Sequence, residues 1–304
     1  MRYGFENNQF YVELDSCRYQ PSDYRTELGR ALQTIYKKNP KIAISMSGGI
    51  DSQILAVTLK EHSIPFESYF FYMPGHNDNE RDNLQHIEKK FGIKVHILTA
   101  NPLDIRKEID RVAFELDVHP NHSLHRYFFA QIPEDYEILQ QAVWTPDICT
   151  DGATMYLYYS YHGAHIAKQR AVESLGRSGG YHNFNELPEL FLSYLNDPIS
   201  RAFITSWPYF KHNGLQRKGS PVSLDWAFDY YVKPLMYANL WPDELIFFPK
   251  YQGIEKLTFW HKLYAKEKVV TIAYFDYIKF LEHKFQTKRF YQLPEPLYKI
   301  APWI

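Results

Sequence analysis

The stretch SMSGGIDSQ, residues 45–53, constrains this chain more than any other. Before it, KIAISMS is short and apolar and reads as a buried strand ending at Ser47. After it, DSQILAVTLKEH runs at helical spacing, with Ile54, Leu55, Thr58, Leu59 and His62 on one side. Asp51 and Ser52 are residue types that begin helices. Adjacent glycines at such a junction let the backbone turn tightly and bring its N–H groups close to a ligand. A helix N-terminus adds partial positive charge, and together these features make a nest for phosphate. Ser45, Ser47 and Ser52 add hydroxyl donors. Asp51 is the odd member, because a carboxylate repels phosphate unless it holds a divalent ion that bridges to it. The stretch is therefore expected to bind a magnesium-bound pyrophosphate group. The plainer alternative is a strand–turn–helix with a Gly-Gly turn and a Ser/Asp cap. The pattern G-x-x-x-x-G-K-[ST] is absent, which disfavours γ-phosphate transfer of the Walker type.

The order of elements around this stretch points to an α/β fold. PFESYFFYM (65–73) reads as a second strand, NERDNLQHIEKKFG (79–92) as a helix closed by Gly92, and KVHILTA (94–100) as a third strand. Strand and helix alternate, so a Rossmann-like, doubly wound parallel sheet is expected. Ligands in such sheets sit at the carboxyl ends of the strands, where Ser47 and Met73 fall. The expected organisation is an N-terminal hairpin extension (1–30), a nucleotide-binding core (31–115) and a mainly helical, aromatic-rich substrate or lid region (116–304) packed on it. The 25 Tyr and 21 Phe are read mostly as helix-packing residues. A net charge of −1 gives no global field toward nucleic acid or anionic lipid, so a polyanion site must be local. Two cysteines exclude a disulfide scaffold and a four-cysteine zinc site, and they fit a reducing, cytoplasmic setting. MRYGFE is no secretory signal, and no apolar run is long enough to cross a bilayer.

The motif Ser47-Gly48-Gly49-Ile50-Asp51-Ser52 resembles the pyrophosphate loop of the N-type PP-loop ATP pyrophosphatases, among them asparagine synthetase-like and 7-cyano-7-deazaguanine synthase-like proteins. The resemblance implies an AMP-forming ligase or amidotransferase with ATP and Mg²⁺ as cofactors. A substrate oxygen attacks the α phosphorus, pyrophosphate leaves, and ammonia or another nucleophile displaces AMP. It assigns Ser47, Gly48, Gly49 and Ser52 to pyrophosphate and Asp51 to Mg²⁺. The second strand's end would meet adenine, which makes Phe70, Phe71, Tyr72 and Met73 candidates, with plain strand core as the alternative for each. Tyr72 and His76 match a Tyr-x-x-x-His of the deazaguanine synthase, with Glu80 one residue late and that enzyme's four zinc cysteines missing. His76 and Glu80 face the substrate in this reading; in the alternative, Asn79 and Glu80 cap a helix.

Further along, His119, His122 and His125 step by three, but Pro120 interrupts and no carboxylate completes a zinc site. His122 and Arg126 are read instead as lying near the acceptor. In WTPDICTDGATMYLYYSYHG (144–163), asparagine synthetases would place an acidic pair where Met155-Tyr156 stands. Asp151 is the replacement candidate for Mg²⁺, or else the cap of an aromatic helix. Lys250 and Lys256 are candidates to cover the leaving pyrophosphate, with Arg217 and Lys218 as a second pair. Glutaminase-type asparagine synthetases begin Met-Cys, whereas Arg2 stands here. Nitrogen would then come from free ammonia, an amine substrate or an ammonia-supplying partner. The competing readings are a tRNA- or nucleobase-modifying PP-loop enzyme and a non-catalytic nucleotide-binding protein of the same fold. Asp51→Asn is expected to abolish pyrophosphate release and leave the fold intact.

Overall fold

The computed structural model describes residues 2–6, 9–13, 17–100, 105, 108, 120–140, 145–151, 154–160, 171–177, 179–180, 187–203, 206, 216–217, 220–221, 231–248 and 298–302. Of these, 2–13, 120–123, 145–160, 179–180, 216–221 and 298–302 are described through their backbone alone. Strands β1 (Arg2–Glu6) and β2 (Gln9–Glu13) pair as an antiparallel hairpin. Helix α1 (Tyr24–Lys38) starts where Asp23 Oδ1 accepts the Thr26 N–H at 2.9 Å. It buries Leu28, Ala31, Leu32 and Ile35, which recur at helical spacing. The boundary expected after residue 30 falls inside this helix.

Next come β3 (Ile42–Ser45), α2 (Ile50–Glu61), β4 (Glu67–Tyr72), α3 (Asp78–Phe91) and β5 (Val95–Thr99). Gly92 closes α3 in the left-handed conformation at φ 59°, as its position predicts. Then follow α4 (Pro120–Phe129), β6 (Glu137–Leu139), β7 (Thr145–Asp151), β8 (Thr154–Ser160) and β9 (Gly179–Gly180). The later elements are α5 (Pro188–Asn196), β10 (Gln216–Arg217), β11 (Ser220–Pro221), α6 (Lys233–Leu240) and β12 (Tyr298–Pro302).

Among the described residues the main sheet has the order β5-β4-β3-β6-β9, and every pair in it is parallel. The chain winds from β3 outward to β5, then returns to add β6 on the other side of β3. The fold is α/β, and its winding reverses at β3, whose carboxyl end leads into the glycine loop. Side-chain alternation along β4 divides the core. Phe70 joins Leu28, Ile54, Leu55, Leu84 and Ile87 on the face covered by α1, α2 and α3. Tyr69, Phe71 and Met73 join Leu124, Phe128 and Phe129 of α4 on the other.

An aromatic cluster ties α5 and α6 to α1. The Tyr24 ring lies 5.2 Å from Tyr194 edge-on and 6.1 Å from Tyr237 stacked, and Tyr237 meets Trp241 at 90°. Arg25 stacks on Trp241 and donates to the Leu240 carbonyl at 2.6 Å, which closes α6. Residues 154–160, expected to be an aromatic helix, form strand β8 instead, paired antiparallel with β7 and β12. Thr154, Tyr156, Tyr158 and Ser160 alternate with Met155, Leu157 and Tyr159, and β-branched and aromatic residues favour a pleated strand.

The α1–α2 contact is unusually close at Gly29. An added Cβ there would lie 1.9 Å from His62 Nε2, and His62 Nδ1 shares a 3.0 Å hydrogen bond with Gln33 Nε2. Gly29→Ala must therefore expel the His62 ring, which offsets the helix-propensity gain. In a His62→Ala background, Gly29→Ala is expected to add about 1 kcal/mol of stability, read from urea unfolding. No gain there would mean that another neighbour meets the new methyl.

Candidate functional site

The loop after β3 is built by its own backbone. The Met46 N–H donates to the Tyr69 carbonyl at 2.9 Å, extending the β3–β4 ladder by one residue. Gly48 then sits at φ 80°, a conformation that side-chain-bearing residues avoid. Gly49 is the N-cap of α2 and makes no side-chain cap bond. Asp51 and Ser52, expected as caps, lie one and two residues inside the helix. Ser52 Oγ turns back to the Gly49 carbonyl at 2.9 Å, and Ser47 Oγ accepts the Gly49 N–H at 3.3 Å. The N–H groups of Ser47, Gly48 and Ile50 have no acceptor among the described residues. An uncapped helix N-terminus whose neighbouring N–H groups lack acceptors among the described residues has the donors that an anion needs.

Two neighbours hold the loop in shape. Gln53 is fully buried; its amide donates to the Gly48 carbonyl at 2.9 Å and to the Ile246 carbonyl at 2.8 Å. Its oxygen accepts the Ile246 N–H at 2.8 Å. Lys90 donates to the Asp243 carbonyl at 2.7 Å and fixes the same segment to α3. On the other side α3 packs under Gly48: a Cβ there would meet Ile87 Cδ1 at 3.6 Å, Asn83 Cβ at 3.9 Å and the Glu80 carbonyl at 4.0 Å. Residues 80, 83 and 87 share one face of α3, which sets the Glu80 carbonyl near Gly48, while its carboxylate accepts from Asn77 Nδ2.

Asp51 faces α6. Its Oδ2 lies 2.5 Å from Lys233 Nζ, and its Oδ1 accepts the Tyr237 hydroxyl at 3.3 Å. Lys233 is 5% exposed and Tyr237 is fully buried. Burial above all, then the neighbouring Tyr24 and Asp51 charges, pushes the Tyr237 hydroxyl well above the ordinary phenol range, so it remains a donor. Neither residue was visible as a site residue in the sequence. Lys233 carries no local signal beyond preceding Pro234 at a helix start.

The other expected residues divide. Phe70, Phe71 and Met73 are buried in the two cores, and Phe71 stacks on Phe128 at 4.4 Å. Of the four adenine candidates, Tyr72 alone is part-exposed. Its hydroxyl donates to Asp78 Oδ1 at 2.7 Å, and Arg81 lies over its ring at 5.0 Å. That hydrogen bond leads the influences that hold the Asp78 carboxyl below its usual range. Asn77, not Asn79, is the N-cap of α3; its Oδ1 accepts the Met73 N–H at 2.9 Å and its Nδ2 donates to the Phe71 carbonyl and to Glu80 Oε2. The His76 N–H donates to the Met73 carbonyl within the same turn. Arg126 is bound to Glu108 at 2.7 Å and to Ser174 Oγ at 2.9 Å, a structural pairing and not one with the loop. His125 packs against Phe71 and Phe129 as a core residue.

Pro120 opens α4 and does not interrupt it, because the first helical turn needs no N–H there. His119, Lys218, Lys250 and Lys256 lie outside the described residues, as does the side chain of His122. Asp151 ends β7 and caps no helix. Among the described residues no cluster of three or more His, Cys, Asp or Glu could hold a metal ion, and no helix is long and apolar enough to cross a membrane.

Residues 23–131 match the asparagine synthase family model. No curated protein matches the chain significantly. Among solved structures, an NMN synthetase from Francisella tularensis aligns at 14% identity and a TM-score of 0.30 over 41% of this chain. An NH3-dependent NAD synthetase from Campylobacter jejuni, solved with nitrate, aligns at 12% identity and 0.31 over 40%. The alignments span 55% and 57% of those two chains. The family match runs from the cap of α1 to just past α4 and contains the whole glycine loop. The likeness to the asparagine synthase family thus falls on residues 23–131, the part of the chain that carries the glycine loop.

Proposed function

We propose that this protein is an AMP-forming ligase that activates an acceptor oxygen with ATP. The acceptor oxygen bonds to the α phosphorus, the bond from that phosphorus to the β-phosphate oxygen breaks, and pyrophosphate leaves with the electron pair. Ammonia or another nucleophile then displaces AMP from the acceptor. The observation that carries this reading is the loop itself: N–H groups at Ser47, Gly48 and Ile50 with no acceptor among the described residues, at an uncapped helix start, with the Asp51 carboxylate one residue on. These donors suit the two outer phosphate groups.

The residues also fit a divalent ion. Asp51 supplies hard oxygen donors beside the nest, and a bound Mg²⁺ would neutralise charge on the phosphates. Ser47 and Ser52 orient the loop through their bonds to Gly49, and Gln53 keeps the Gly48 carbonyl turned away from the anion. Tyr72 offers the part-exposed aromatic ring at the end of β4 for the base, and Glu80, whose carbonyl lies near Gly48, is the proposed acceptor-side residue. Lys250, Lys256 and Asp151 remain proposed partners of the phosphates and metal. Ammonia would come from solution or from a partner protein.

Incubation with Mg-ATP, ammonium and a panel of small carboxylates is expected to yield AMP and pyrophosphate in equal amounts. ADP and phosphate as products would overturn the reading. Nucleotide binding without turnover would favour a non-catalytic protein, and copurifying tRNA a base modifier.

A further inference from the structure

We propose that Gln140 selects the acceptor substrate by requiring a hydrogen-bond donor on it; this rests on the reading above and names the substrate's chemical class. Gln140 directly follows β6, which pairs with β3 up to Leu139 and Ile44. The next position along the two strands sets Gln140 beside Ser45. These are the carboxyl ends of the strands at which the winding reverses, where an open α/β sheet leaves its ligand crevice. Ala43 packs on the α4 side of the sheet and Ile44 on the other, so alternation places Ser45 on the α4 side. Ile138 and Leu139 divide in the same way, which places Gln140 there too. Phe71 and Met73 belong to the same side and are apolar.

Gln140 is 6% exposed, and its Oε1 is buried without a hydrogen bond among the described residues. An acceptor oxygen stripped of water and left unpaired is unfavourable, whereas an apolar side chain of similar volume would incur no such loss. The carboxamide therefore lowers the stability of the empty protein, and a ligand that supplies the missing donor offsets the loss. The terminal amide turns readily about its last bond, so its oxygen can be presented to the crevice. A carboxylate or an ester has no proton to give to that oxygen. A carboxamide, an amine or a hydroxyl has one. The acceptor substrate thus carries such a group beside the oxygen that attacks the α phosphorus.

Two measurements on the full chain test this. Without ligand, Gln140→Leu is expected to raise the melting temperature by about 2 °C. An unchanged or lower value would show that the empty protein already satisfies the carboxamide, and the proposal would be overturned. The second measurement compares matched substrates in the AMP assay: succinamate against monomethyl succinate, and glycolate against methoxyacetate. Each second member keeps a carboxylate and lacks the donor. Wild type is expected to prefer the donor-bearing member of one pair by about 100-fold in kcat/KM. Gln140→Leu should shrink that preference to under about tenfold, mainly through a higher KM for the donor-bearing substrate. Wild type that forms AMP from both members alike overturns the proposal and leaves the functional reading standing. So does a Gln140→Leu protein that keeps the full preference. If wild type releases AMP and pyrophosphate with no acceptor, both fail.

Discussion

Asp51→Asn is expected to do two things at once: stop pyrophosphate release and weaken the fold. The first follows from the proposed role of this carboxylate in holding the metal, and a drop on the order of 10³-fold in pyrophosphate formation is the scale for removing a main electrostatic contributor. The second was not foreseen from sequence, where this change is expected to spare the fold. Structure shows why it does not. The Asp51 carboxylate forms an ion pair with a lysine that is 5% exposed, and the amide removes that ion pair. Breaking such a pair by removing one partner costs about 3 kcal/mol. Urea unfolding should show this loss, and Asp51→Asn/Lys233→Met should recover most of it while staying inactive. A double variant as unstable as the single one would mean that the ion pair is not what Asp51 contributes to stability.

Gln53→Leu has the next largest expected effect. Leucine fills nearly the same volume but leaves the Gly48 carbonyl, the Ile246 carbonyl and the Ile246 N–H without their partner. Unsatisfied buried polar groups cost roughly 1–3 kcal/mol each. Ile246 is partly exposed, so water recovers part of the loss, and a net destabilisation of about 3 kcal/mol is expected. The more specific consequence is at the loop. With its carbonyl released, Gly48 no longer holds a fixed orientation, so amide hydrogen exchange at residues 48–52 should accelerate more than exchange in β3. Equal acceleration everywhere would show global weakening only.

The half of the molecule built from local pattern was legible. KIAIS, the aromatic run of β4, the Leu84–Ile87–Phe91 spacing and Gly92 each declare their structure within a few residues, and the adjacent glycines likewise mark the turn between β3 and α2. Helix α1 was equally readable from Leu28, Ala31, Leu32 and Ile35, and the domain boundary placed after residue 30 overlooked that spacing. The 154–160 strand was misread because aromatic content was weighed above its period-two alternation. Other features have no local signature. Lys233 and Tyr237 become site residues only because α6 docks against the loop, and Tyr237 lies 186 residues from Asp51. Gln53 looks like any helix residue until its partner 193 residues away is known. Phe70 and Phe71, expected near adenine from their place at the end of the second strand, went to the core because adjacent strand residues point to opposite faces and both faces of this parallel sheet are covered.

The cluster that joins Tyr24 to Tyr194, Tyr237 and Trp241 also separates two notions of a domain. The segment carrying the family signature stops near residue 131, yet its first helix is roofed by rings from beyond residue 190 and its loop is braced from beyond residue 230. Ancestry and cooperativity therefore have different borders here. Excising the recognisable piece would bare the aromatic face of α1, so the described helices between residues 187 and 245 belong to the same packed core.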